Sequence, residues 1–174
     1  MQPLAAFVMT GYAKLVPCLL EWNNGQGIDI ESWIGCSGNF QLAVGYSTLF
    51  WPRFVEFEGY ILREGFSLES LRSFQQQSDP SRRGVEAVMN HVHIAAIHYH
   101  DCAECTTEHA VYLGRTLQEI YEAKLAWQFP HRRLEVVFDE SEREDVMSYE
   151  ITFYQRDIPT DSPSVPNGVS HSSA

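Results

Sequence analysis

Basic residues are scarce in this sequence. Its 174 residues include 12 Lys and Arg against 23 Asp and Glu, which gives a formal net charge of −11. Nucleic-acid binding normally requires a cluster of Lys and Arg that displaces counterions from the phosphates. The basic doublets here are limited to Arg82-Arg83 and Arg132-Arg133. The composition therefore argues against a nucleic-acid partner and favours a basic protein, a cationic ligand or a metal ion.

Cysteine and long apolar runs are also scarce. A chain with four cysteines, 44% hydrophobic and 13% aromatic residues builds a core without a disulfide scaffold. No stretch approaches the roughly 20 apolar residues that span a bilayer. The first basic residue is Lys14, and Thr10-Gly11 interrupts the early apolar run, which argues against a secretory signal. We therefore expect a cytoplasmic protein with no membrane partner.

The short motifs that carry familiar chemistry are missing as well. The sequence contains no G-x-S-x-G, no phosphate-binding glycine loop and no dinucleotide fingerprint. It therefore suggests no catalytic residue and no organic cofactor, and it favours a protein that is not an enzyme.

Two pairs of segments have the composition of β-hairpins. Phe54–Phe57 and Tyr60–Arg63 flank the turn residues Glu58-Gly59, which predicts a tight hairpin. Residues 134–138 and 147–154 alternate apolar and polar side chains and are joined by a short acidic loop. The alternation predicts a second, half-buried hairpin.

Helical spacing dominates the segment between the hairpins. It predicts a long helix over 79–99, opened by Asp79-Pro80, and another over about 107–128, so that 102–105 form the turn of a long helical hairpin. Hairpins and helices without a β-α-β rhythm predict an α+β fold, with an antiparallel sheet of about four strands and several helices packed on it. We expect residues 1–156 to form a single domain and the polar residues 157–174 to form a disordered tail.

Five of the seven histidines lie between residues 91 and 109, together with two cysteines. His98, Cys102, Cys105 and His109 are spaced H-x3-C-x2-C-x3-H, and mixed Cys and His ligands suit tetrahedral zinc. On one continuous helix the first and last of them would lie about 16 Å apart along the axis. A zinc site therefore requires the helix to be interrupted between residues 102 and 106, so that the four side chains can converge. Thr106 is a suitable N-cap for a new helix after such a break. Solvated or core histidines are the simpler interpretation.

The second hairpin is rich in Asp and Glu, with Arg143 as the one opposing charge. Its acidic residues are Glu135, Asp139, Glu140, Glu142, Glu144, Asp145 and Glu150. Such a surface would accelerate encounter with a basic protein. We therefore expect a non-enzymatic interaction protein, in the manner of a small inhibitor or immunity protein, that binds a basic partner through this hairpin and the helical hairpin. The alternative is a metal-binding protein or metalloenzyme that uses the His/Cys cluster at 98–109. The sequence does not indicate the oligomeric state.

Overall fold

The computed structural model describes residues 12–76, 81–141 and 143–156, without the side chains of residues 13 and 99–103. The predicted tail at 157–174 and the predicted helix start at Asp79 lie outside these residues. The described chain is α+β with antiparallel strands, which confirms the predicted class. It has five strands in two sheets, whereas about four strands in one sheet were expected.

The first part of the described chain is helical. Its elements are α1 (Tyr12–Leu15), a 3-10 turn (Pro17–Leu20), α2 (Ile30–Ser37) and α3 (Phe40–Phe50). The side chains of Asp29 and Asn39 begin α2 and α3, each accepting a hydrogen bond of 2.9 Å from the backbone N–H three residues further on. Such N-caps satisfy amide donors that the first helical turn leaves unpaired.

The first hairpin is β1 (Phe54–Phe57) paired with β2 (Tyr60–Arg63). Glu58 and Gly59 connect the strands with φ of 52° and 81°, the left-handed conformation that a two-residue type I′ turn requires at both positions. The predicted hairpin and its turn are confirmed.

The second sheet has the order β3-β5-β4 and consists of β3 (Val92–His93), β4 (Leu134–Phe138) and β5 (Glu150–Gln155). The predicted pairing of the second hairpin is confirmed, with Val136 opposite Phe153. Strand β5 begins later than expected, because a 3-10 turn over Val146–Ser148, capped by Asp145, occupies the residues before it.

Three further helices are α4 (Leu68–Gln75), α5 (Arg82–Met89) and α6 (Thr107–Gln128). The continuous helix predicted over 79–99 is wrong. Helix α5 ends at Met89, Val92 pairs with Ile151 in the second sheet, and Ala95–Glu104 form a 3-10 helix. The first arm of the expected helical hairpin is therefore a short helix, a strand and a 3-10 segment.

Two apolar clusters form the core. The larger lies between α6, the second sheet and one face of the first hairpin, and it includes Phe54, Tyr121 and Phe153, whose rings are mutually edge-on. The smaller lies under α4 and α5, around Leu62, Leu71 and Val85. The two faces of the first hairpin therefore pack into different clusters.

Candidate functional site

The His/Cys segment contains the interruption between two helices that a zinc site requires. The 3-10 helix ends at Glu104, and α6 begins at Thr107. The predicted N-cap at Thr106 is confirmed, because its hydroxyl accepts a hydrogen bond from the N–H of His109, and the ring of His109 accepts one from the N–H of Thr106. This reciprocal pair is a capping box with histidine in the position usually held by Glu or Gln.

Both ring nitrogens of His109 have partners in the protein. Nδ1 accepts from the N–H of Thr106 at 3.2 Å, and Nε2 lies 2.7 Å from the carbonyl oxygen of Leu15, to which it donates. The ring thus ties the first turn of α6 to the end of α1. A metal ion at His109 has to displace one of these two hydrogen bonds, because a metal ligand uses a ring-nitrogen lone pair.

The other predicted ligands have separate surroundings. Nε2 of His98 is hydrogen-bonded to the hydroxyl of Tyr46 on α3, and the thiol of Cys105 lies 3.8 Å from the carbonyl oxygen of Thr106. The side chain of Cys102 lies outside the described residues. Among those described, no group of three or more His, Cys, Asp or Glu is arranged to hold a metal ion. The four-residue zinc site stays a prediction.

Arginines neutralise part of the acidic hairpin. Arg143 contacts Asp139 as its position suggests, and two arginines from elsewhere join it: Arg115 of α6 pairs with Glu140, and Arg156 pairs with Glu135 at 2.9 Å. All of these groups are substantially exposed, so the pairs contribute little to stability. They do reduce the negative charge that this hairpin presents to a partner.

Helix α3 contacts the rest of the protein through one narrow face. Tyr46 contacts His98, Phe50 packs on the larger cluster, and the carbonyl oxygen of Leu49 accepts a hydrogen bond of 3.1 Å from the hydroxyl of Tyr121. Burial raises the pKa of Tyr121, so this hydroxyl remains a donor at neutral pH. No residue of α3 is fully buried.

The opposite face of α3 is apolar and faces solvent. Phe40 is 93% exposed, Val44 67% and Trp51, directly after the helix, 52%. Positions 40, 44 and 51 lie on one stripe of a helix, about 16 Å long at 1.5 Å per residue. Their spacing is that of core residues, and nothing in the sequence indicates that this face points outward.

A second exposed tryptophan extends this stripe. Trp127, near the end of α6, is 70% exposed, and its ring centroid lies 6.4 Å from that of Trp51. The ammonium of Lys124 lies 4.7 Å from the Trp51 centroid and 4.3 Å from the Trp127 centroid, within the range of cation–π attraction. Lys124 is itself only 6% exposed. The lysine therefore holds the two indoles together. We call Phe40, Val44, Trp51 and Trp127 the Trp ridge.

Acidic residues outnumber basic ones in the segment that contains Phe40, Val44 and Trp51. Between Leu15 and Pro52 the sequence contains three acidic residues and no Lys, Arg or His. On α6, the exposed Glu119 lies two turns before Trp127 on the same stripe. Further along this stripe is Tyr112, whose pKa is raised by a hydrogen bond with Tyr12 and by burial. Exposed apolar side chains on a chain of net charge −11 suit a ligand that is both apolar and cationic.

The part of the chain that the structure describes contains no helix long and apolar enough to cross a membrane. Comparison of the chain with protein-family models, with curated proteins and with solved structures finds no match.

Proposed function

We propose that this chain is a non-enzymatic interaction protein that binds another protein through the Trp ridge. The observation that carries the proposal is the exposure of four large apolar side chains, Phe40 and Val44 on α3 and the adjacent Trp51 and Trp127. Folded proteins rarely expose large contiguous apolar patches unless these bind something. Tryptophan is also among the residues that contribute most to binding energy at interfaces.

The charge of the chain supports a basic protein as the partner. Among the residues that the structure describes, six arginines pair one-to-one with six carboxylates, and such pairs leave the net charge of −11 unchanged. A field of this sign speeds encounter with a positively charged protein. The mode of action would be that of a small inhibitor or immunity protein, which acts by covering a partner's surface. The cytoplasm stays the predicted location.

A pull-down from the native lysate, with this protein as the bait, tests the proposal. Val44→Gln removes ridge surface and keeps a residue with good helix propensity. Leu68→Gln is the matched control, because Leu68 is 50% exposed on α4. At low salt we expect the wild type and Leu68→Gln to retain a protein that Val44→Gln retains at least tenfold less, as measured by quantitative mass spectrometry. Equal retention by all three would contradict the proposal.

A further inference from the structure

We propose that the Trp ridge receives a basic amphipathic α-helix of the partner, whose apolar face covers Phe40, Val44 and Trp51 and whose Lys and Arg side chains complement the net negative charge of this chain. This inference rests on the proposed function and adds the chemistry and shape of the bound segment to it.

The shape of the Trp ridge favours a helix as the occupant. An extended segment would bind by adding a strand to a sheet edge, where main-chain groups supply the affinity. The ridge is instead a stripe of side chains on a helix, about three turns long. The apolar stripe of a second helix, with residues at i, i+4, i+7 and i+11, matches it in length.

The edge of β1 gives a second reason to expect a bound helix rather than a bound strand. Gln128 occupies this edge at Phe54: its side-chain amide donates to the carbonyl oxygen of Phe54, and its side-chain oxygen lies 3.4 Å from the N–H of the same residue. A strand that approached β1 beside the tryptophans would meet these hydrogen bonds at Phe54. Helix-on-helix contact at the ridge leaves them intact.

Charge complementarity favours a basic segment over a second copy of this chain. Two copies would bring together molecules that each carry a net charge of −11, and like charges at an interface oppose binding. The nearest cation, Lys124, already lies against the two indole rings. The outer parts of these rings stay exposed and offer stacking surfaces for the guanidinium groups of a partner.

A pair of designed peptides tests the inference on the full chain. Each is an amphipathic helix of about 18 residues with a leucine face; one carries Lys and Arg on its polar face and the other carries Glu. We expect the basic peptide to bind, with a shift in tryptophan fluorescence and heat in calorimetry. The acidic twin should bind at least tenfold more weakly.

Variants of the protein locate the site. Val44→Gln should weaken binding of the basic peptide at least tenfold, and Leu68→Gln should leave it unchanged. Glu119→Gln should weaken binding and reduce its dependence on salt between about 50 and 300 mM, because it removes one screened attraction. Glu69→Gln, on α4, is the control for the charge change. Equal effects of each variant and its control would overturn the inference.

Other occupants give different results. Equal binding of the two peptides would show that charge does not select the ligand. A dimer in light scattering that Val44→Gln dissociates would identify a second copy, and vesicles of neutral phosphatidylcholine that bind the wild type but not Val44→Gln would identify a lipid surface. Each overturns the inference. If neither peptide binds but a lysate protein is lost with Val44→Gln, the inference fails and the proposed function stands; if both tests are negative, both fail.

Discussion

Glu86 on α5 and Asn90, the residue that caps the end of α5, lie one turn apart, and their side chains connect the two sheets through hydrogen bonds to the backbone. The carboxylate of Glu86 accepts from the N–H of Ile61 in β2 at 2.7 Å and from the N–H of Gln155 in β5 at 2.6 Å. The amide of Asn90 donates to the carbonyl oxygens of Ile61 and Phe153, at 2.9 and 3.2 Å. Both side chains are completely buried.

These two residues stand in for a strand between the sheets. Strand β3 covers only the beginning of β5, opposite Ile151 and Glu150. Beyond β3, no strand of the described chain pairs with this edge of β5, so the carbonyl oxygen of Phe153 and the N–H of Gln155 need other partners inside the protein. Buried backbone groups are costly when unpaired. The side chains of Glu86 and Asn90 therefore provide hydrogen-bond partners both for the backbone of β5 and for the facing edge of β2.

Substitution of Glu86 is therefore expected to be severely destabilising. Glu86→Ala leaves the N–H groups of Ile61 and Gln155 without acceptors. The side-chain amide of Gln155, which lies 2.6 Å from the carboxylate, keeps only the carbonyl oxygen of Gly59 as an acceptor. We expect a loss of about 3 kcal/mol or more in the free energy of unfolding, since each buried unsatisfied group costs roughly 1 to 3 kcal/mol. Urea denaturation followed by circular dichroism measures it.

Two further variants make the result specific. Glu86→Gln keeps the shape but turns an amide NH2 toward backbone donors, so it should cost about 1 to 3 kcal/mol. Glu69→Ala, at an exposed position, should stay within about 0.5 kcal/mol of the wild type. If Glu86→Ala behaved like Glu69→Ala, the carboxylate would not connect the sheets.

Features with local signals were predictable from the sequence. The turn at Glu58-Gly59 requires left-handed backbone, and the N-cap at Thr106 acts within three residues of chain. The alternation in 134–138 fixed the register of β4 in the second hairpin, because a slip of one residue would turn every side chain to the other face.

Features decided by distant contacts were not predictable. Val92 and His93 continue the helical spacing of α5, yet the open edge of β5 draws them into a strand. Phe40, Val44 and Trp51 have the spacing of core residues, and only the packing of Tyr46 and Phe50 on the other face turns them to solvent. The arginines that pair with the acidic hairpin come from α6 and the end of β5, far along the chain.

The zinc prediction has a direct test in metal content. Both ring nitrogens of His109 hold hydrogen bonds within the protein. Loss of one of these bonds makes the free energy of metal binding at His109 less favourable. We expect less than about one-tenth molar equivalent of zinc in protein purified without a metal-affinity tag, where a full tetrahedral site would hold about one equivalent. Elemental analysis measures this.

The role of His109 as a helix cap provides the control. His109→Ala should lower stability by about 1 to 2 kcal/mol through loss of the capping box and of the hydrogen bond to Leu15, whether or not zinc or a chelator is present. One equivalent of zinc in the wild type, lost in Cys102→Ser, would establish the four-residue site instead.

The ion pair between the first hairpin and α4 should make stability depend on pH. Arg72 donates two hydrogen bonds of 2.6 Å to the carboxylate of Glu58, and these lower the pKa of that carboxyl. A lowered folded-state pKa stabilises the fold above the pKa of the unfolded chain, and this contribution disappears as the carboxyl protonates on acidification. Glu58→Gln should therefore be less stable than the wild type at pH 7, and this difference should shrink at an acidic pH, where the carboxyl of the folded wild type begins to protonate. Urea midpoints at the two pH values measure the difference, and Glu69→Gln should show none. A difference that persisted in acid would assign the effect to the turn backbone, since Glu58 has φ of 52°, rather than to the charge.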